Sequence, residues 1–175
     1  VRYIAFLRAV NVGGRKVEMA KLRKAVEDAG FEHVATYIAS GNLFFDSTSR
    51  SKAKIVDALE AAMESHLGFE VPVALRTVAE LEAMVASNPF KGWSKSDDHR
   101  LLVNFHMGKV PKLDVPSTSP KGELELVGAT DGETFVVAHV VNGKWGQERW
   151  LDTGPATTRF WHTTAKILDA AKKQA

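Results

Sequence analysis

Apolar residues in the first half of the chain switch between a period of two and a period of three to four, and each switch predicts a change of element. Positions 2–8 are apolar on both alternating faces, with Tyr3, Ala5 and Leu7 on one and Ile4 and Phe6 on the other. That suits an interior strand covered on both sides of its sheet. Met19, Leu22 and Val26 then recur at spacings of three and four, which predicts a helix over Glu18–Ala29 stopped by Gly30. A second strand is expected over Val34–Ala39, turn chemistry at Ser40-Gly41-Asn42, and a third strand over Leu43–Phe45. A second helix carries Ile55, Val56, Leu59, Met63 and Leu67 and ends at Gly68, and a fourth strand runs over Val71–Arg76. The resulting order is β-α-β-β-α-β, the ferredoxin-like arrangement.

The second half has weaker periodicity. Val78–Ser87 reads as a helix broken by Asn88-Pro89-Phe90, Lys91–His99 as a polar loop, and Arg100–His106 as a strand. Pro111, Pro116 and Pro120 leave no room for a regular helix over 108–122. Glu123–Val127 and Thr134–Val141 are expected to pair as a hairpin with Asp131-Gly132 at its turn. Pro155–Lys173 is expected to end in a helix bearing Phe160, Trp161, Ile167, Leu168 and Ala171. The fold class is therefore α+β, with a ferredoxin-like half at 1–77 and a second α+β half at 78–175. A faint echo of strands and helices between them suggests duplication.

Composition narrows the classes. The chain has 175 residues, 45% hydrophobic and 25% charged, and no cysteine. A chain of this size buries roughly 70% of its unfolded surface, so it needs no disulfide or metal staple. Disulfide frameworks, thiolate metal sites and cysteine nucleophiles are excluded. No stretch approaches the ~20 apolar residues of a membrane span, and Val1–Arg8 is too short and too broken by arginine for a signal peptide. A soluble cytoplasmic protein without a membrane partner is expected. The net charge of +2 does not mark a nucleic-acid binder, but residues 1–26 hold seven basic side chains against Glu18 alone. Such a patch can steer an anionic partner, although Lys21, Arg23 and Lys24 also fit the solvated face of the first helix.

Several motifs together resemble a known family. They are Leu7-Arg8-Ala9-Val10-Asn11-Val12-Gly13-Gly14, Met19 with Leu22, Thr36-Tyr37-Ile38-Ala39-Ser40-Gly41-Asn42, Asn88-Pro89-Phe90, and Ala156-Thr157-Thr158-Arg159-Phe160-Trp161 with Thr163 and Lys166. In these the chain resembles the bacterial family known as domain of unknown function 1697, over essentially its whole length. The resemblance implies two ferredoxin-like halves and no assigned activity, cofactor or catalytic residue. Two positions depart from the family pattern, with Ala9 where glycine is usual and Phe160 where asparagine is usual.

Topology gathers the candidate chemistry. In a 4-1-3-2 antiparallel sheet, the loop after the first strand and the turn after the second lie at the same end. Arg8, Asn11, Gly13, Gly14, Arg15, Ser40, Gly41 and Asn42 are therefore expected to cluster there. Glycines ahead of a helix can present backbone N–H groups to an anion, and the arginines can add bidentate contacts. The same glycines also make a tight connection, and the asparagines can satisfy their own turns. Thr157-Thr158-Arg159 precede the last helix, where a threonine can cap it or the segment can form a second anion-binding end. The six histidines show no zinc spacing, though His106 and His139 lie on predicted strands that could bring them together.

The reading that follows is a site for a small anionic, phosphate-bearing ligand, with no metal and no cofactor. Two alternatives come from other classes. One is an RNA-binding sheet that stacks bases on Tyr3, Phe6, Phe44 and Phe45, against which the third strand lacks the basic and aromatic signature of that module. The other is an interaction protein with an apolar surface around Trp145 and Trp150. The sequence sets neither the ligand nor the oligomeric state.

Overall fold

The structure, a computed structural model, describes residues 1–10, 14, 16–38 and 41–174. The chain is α+β and divides into two compact units, Val1–Glu82 with Lys166–Ala175, and Ala83–Ala165. Among the described residues no helix is long and apolar enough to cross a membrane.

The first unit carries β1 (Arg2–Leu7), α1 (Met19–Asp28), β2 (Glu32–Tyr37), β3 (Asn42–Asp46), α2 (Lys52–Leu67) and β4 (Val73–Thr77). The sheet order is β2-β3-β1-β4 with every pair antiparallel, the order that the β-α-β-β-α-β reading requires. Tyr3, Ala5 and Leu7 of β1, Leu43 and Phe45 of β3, and Val73 and Leu75 of β4 join Leu22, Val26, Ile55, Leu59 and Met63 of the two helices in one core. The opposite face is buried as well, since Ile4, Phe6 and Phe44 have no exposed surface. On that face the Arg2 guanidinium donates to the carbonyl oxygens of Ala171 (3.4 Å) and Gln174 (3.0 Å) and pairs with Asp46 at 3.3 Å.

Local chemistry explains the element ends. The Ser51 side chain accepts from the Lys54 N–H to cap α2, and Gly68 closes it at φ 81° with its N–H donating to Glu64 O. Thr77 and Glu80 form a reciprocal capping box at the start of α3 (Val78–Ala86). The second strand ends at Tyr37, two residues earlier than the pattern suggests, where Ile38 turns the chain with a left-handed φ of 61°.

The second unit carries β5 (His99–His106), β6 (Ser117–Thr118), β7 (Leu124–Ala129), β8 (Glu133–Val141), β9 (Lys144–Trp145) and β10 (Ala156–Phe160), and α4 (Trp161–Lys173) begins in it. Its sheet runs β10-β5-β8-β7-β6, with β9 on β8. Counting only the four longer strands, this repeats the 4-1-3-2 order, but neither crossover holds a helix. The first contains Pro111, Pro116 and Pro120, and the second contains β9. The predicted hairpin forms as β7 and β8. The segment from Pro155, expected to lead into the last helix, first makes strand β10, which pairs antiparallel with β5 from Ala156↔His106 to Phe160↔Leu102.

Gly41 and Gly68 separate two reasons for glycine. Both have left-handed φ, 92° and 81°, but a Cβ at Gly41 would lie 3.0 Å from Leu7 Cβ while one at Gly68 meets nothing. Gly68→Ala is expected to lower stability by about 1 kcal/mol, from the left-handed conformation alone. Gly41→Ala is expected to cost about 2–3 kcal/mol because overpacking adds to it. Urea unfolding of both variants checks this, and equal losses would contradict it.

Candidate functional site

Three connections of the first unit meet at one end of its sheet. The Leu7 N–H donates to Gly41 O at 2.9 Å, joining the end of β1 to the β2–β3 turn, and the Arg8 N–H donates to Pro72 O at 3.0 Å beside β4. Arg8 is exposed there. Asn42 is fully buried and its amide donates to Tyr37 O at 2.9 Å, which holds the turn shut. Gly41 has its own steric reason, so these two residues shape the turn. Gly14 is exposed with φ 84° and open space around it. Four residues separate it from Met19, the first residue of α1, and the N-cap position is occupied by Glu18, whose side chain makes no capping bond. Gly14 therefore lies outside the first turn of α1. Asn11, Gly13, Arg15 and Ser40 lie outside the described residues.

The backbone at this end adopts uncommon conformations. Ala9 has φ 58° and Ile38 has φ 61°. A left-handed β-branched residue is a genuine outlier, and Ile38 is 48% exposed, so packing gives little compensation. Lys21, Arg23 and Lys24 lie on the exposed face of α1, with Lys24 paired to Asp28 at 3.3 Å.

Thr157, Thr158 and Arg159 are strand residues of β10 and cap no helix. Thr158 joins a polar ladder across the second sheet. Its hydroxyl donates to Asn104 Oδ1 (2.6 Å), the Asn104 amide donates to Thr134 Oγ1 (3.1 Å), and Thr134 also meets His106 Nε2 at 2.9 Å. His106 Nδ1 lies 3.2 Å from Thr153 O; as the donor there, it leaves Nε2 to accept the Thr134 proton. Thr157 and Arg159 are buried, and the Arg159 guanidinium donates to Thr157 Oγ1 and Thr158 O at 2.8 and 3.0 Å. Burial pulls its pKa down to about 10. These contacts give the segment a structural role in the second sheet.

A cleft in the second unit was not apparent from sequence. The register between β10 and β5 stops at Phe160↔Leu102, so β5 has no strand neighbour on that side from His99 to Leu101. A cavity of about 440 Å³ opens against this edge, walled by Trp93, Trp145, Phe160 and Trp161 with Lys95 and Arg100. Buried Phe90, from the Asn88-Pro89-Phe90 turn, fixes two of these walls. It packs against Trp161 and Phe135 with ring centroids at 5.4 and 5.8 Å, and its carbonyl accepts from the Trp93 N–H. Trp145 is set by its pairing with Val140 and by Gly146, whose Cβ, if present, would lie 2.6 Å from Glu123. The Arg100 guanidinium lies 4.1 Å from the Trp145 ring centre and 5.3 Å from that of Phe160. His139 lies beside His99 on the neighbouring strand, with ring centroids 6.1 Å apart and Trp93 beside both. Among the described residues no group of three or more histidines and carboxylates could hold a metal. Of Trp145 and Trp150, Trp145 lines this cleft and Trp150 does not.

The family described as "Protein of unknown function (DUF1697)" matches residues 1–135, and the chain belongs to it. The fold is similar to that of the conserved bacterial protein SP0830 from Streptococcus pneumoniae, at 27% identity and a TM-score of 0.72, covering 97% of this chain and 98% of that one. No curated protein matches the chain.

Ala9 sits at φ 58°, in the left-handed region that favours glycine. Ala9→Gly removes about 1–2 kcal/mol of left-handed strain and adds about 0.4–1 kcal/mol of unfolded-state entropy. A net gain of about 0.5–1 kcal/mol, a Tm rise of about 1–4 °C, is expected in calorimetry. A fall in Tm would contradict the assignment of strain.

Proposed function

We propose that this member of the family binds a small anionic, phosphate-bearing ligand at the end of the first unit formed by the β1–α1 connection and the β2–β3 turn. The observation that carries the reading is the Leu7 N–H to Gly41 O bond, which joins the two connections beside the exposed Arg8. A guanidinium in that position can take a phosphate bidentately. The left-handed Ala9 and Ile38 support it, since strained backbone held at one place is a feature of binding loops. A small ligand is favoured over an RNA-binding sheet because Tyr3, Phe6, Phe44 and Phe45 are at most 2% exposed, so they offer no surface on which a base can stack.

A thermal-shift screen of the full chain against nucleotides, sugar phosphates and pyrophosphate tests the proposal. At a hundredfold excess over Kd, a ligand of the native state adds about 2.7 kcal/mol, or about 5–10 °C in Tm for a chain of this size. The shift is expected to be lost in an Arg8→Ala, Arg15→Ala double variant. A flat screen, or a shift that survives the double variant unchanged, would overturn the assignment.

A further inference from the structure

We infer that the cleft at the free edge of β5 is a second binding site, for a small planar heteroaromatic molecule that carries an acidic group. Its volume of about 440 Å³ falls within the roughly 300–1,000 Å³ of small-molecule sites. Trp93, Trp145 and Trp161 are only half-buried and Phe160 is 38% exposed, although all four face one opening. Large aromatic side chains left open around a single concavity form walls for a flat ring, which stacks on their π faces.

The cleft also has charge to spend. Arg100 rests on Trp145 and Phe160 and makes no ion pair with the described residues. Its guanidinium is held in place by rings, and its N–H donors remain available to an acid group on the ligand. Lys95 lines the same opening, and Asp97 beside it can accept from a ring amino group or a hydroxyl. The strand edge adds main-chain chemistry. Successive residues of a strand direct their N–H and C=O groups to alternate sides, so among His99, Arg100 and Leu101 at least one presents both groups toward the side that β10 leaves open. A polar main-chain edge beside aromatic walls complements a ring with nitrogen and carbonyl or amino groups on its rim, rather than a plain hydrocarbon ring.

All four tryptophans of the chain lie in the second unit, so intrinsic fluorescence reports on it. The probes are the four common nucleoside 5′-monophosphates, with adenosine, ribose 5-phosphate and inorganic phosphate as partial ligands. At least one monophosphate is expected to change the fluorescence saturably. Ribose 5-phosphate and inorganic phosphate should fail to compete with it, and adenosine should bind about tenfold or more weakly, since it lacks the charge-assisted contact. Arg100→Ala, at an exposed position, should weaken the monophosphate about tenfold or more with unchanged Tm, and Trp145→Ala should weaken it while removing part of the signal. Arg8→Ala should leave it unchanged, which separates this site from the one proposed in the first unit. Absence of a saturable response to any monophosphate would overturn the inference. So would full retention of affinity in Arg100→Ala, or equal competition by ring-free phosphates.

Discussion

Strand β1 is buried on both faces, and that constraint limits where the first unit can offer side chains to a ligand. Tyr3 through Leu7 are all at most 2% exposed. One row packs on α1 and α2 within a single core, and the other row is covered as well. A strand with no solvated face cannot offer side chains to a ligand along its length. Polar groups can only emerge where it ends, and this is where Arg8 and the β2–β3 turn lie. In the second unit the central strand β8 is likewise buried from Glu133 to Ala138, and its cleft opens at a strand end, where β10 stops short of the start of β5.

The two sheets share an order of longer strands but differ in their connections. Both place their four longer strands in the order 4-1-3-2. In the first unit the two crossovers are helices whose apolar stripes fill the core. In the second, three prolines in one crossover and the short β9 in the other remove the helices, and the covering layer is correspondingly different. Phe90, from the turn after α3, supplies a buried ring against Phe135. The crossover that carries β9 also carries Trp145, so a stretch of extended chain brings a tryptophan to the cleft.

The first unit was legible because its pattern is local and its caps are conventional. Strands apolar on both faces, helical spacings of three and four, and Gly30 and Gly68 as stops all act within a few residues. The early end of β2 was not legible, because it depends on a left-handed Ile38 that no propensity favours. In the second unit β10 was missed because Thr157 and Thr158 suit a helix cap and a strand equally well, and pairing with β5, some fifty residues away, decides between them. The nearness of the β1–α1 connection and the β2–β3 turn was legible from the order of strands, as the Leu7–Gly41 bond shows, whereas Thr157–Arg159 are sheet residues. The cleft left no sequence signal because its walls come from three separated segments, around Trp93–Leu101, at Trp145 and at Phe160–His162.

Amide NMR of the isotope-labelled full chain during titration with a nucleoside monophosphate tests most directly the claim that binding chemistry sits at strand ends. Chemical-shift changes are predicted at Arg8 and Gly41 in the first unit or at His99–Leu101 and Phe160–His162 in the second, with the interior positions of β1 and β3 unmoved. Changes centred on Tyr3, Phe6, Phe44 and Phe45 would contradict the account, because they would mean that a ligand reaches the sheet face that the fold buries.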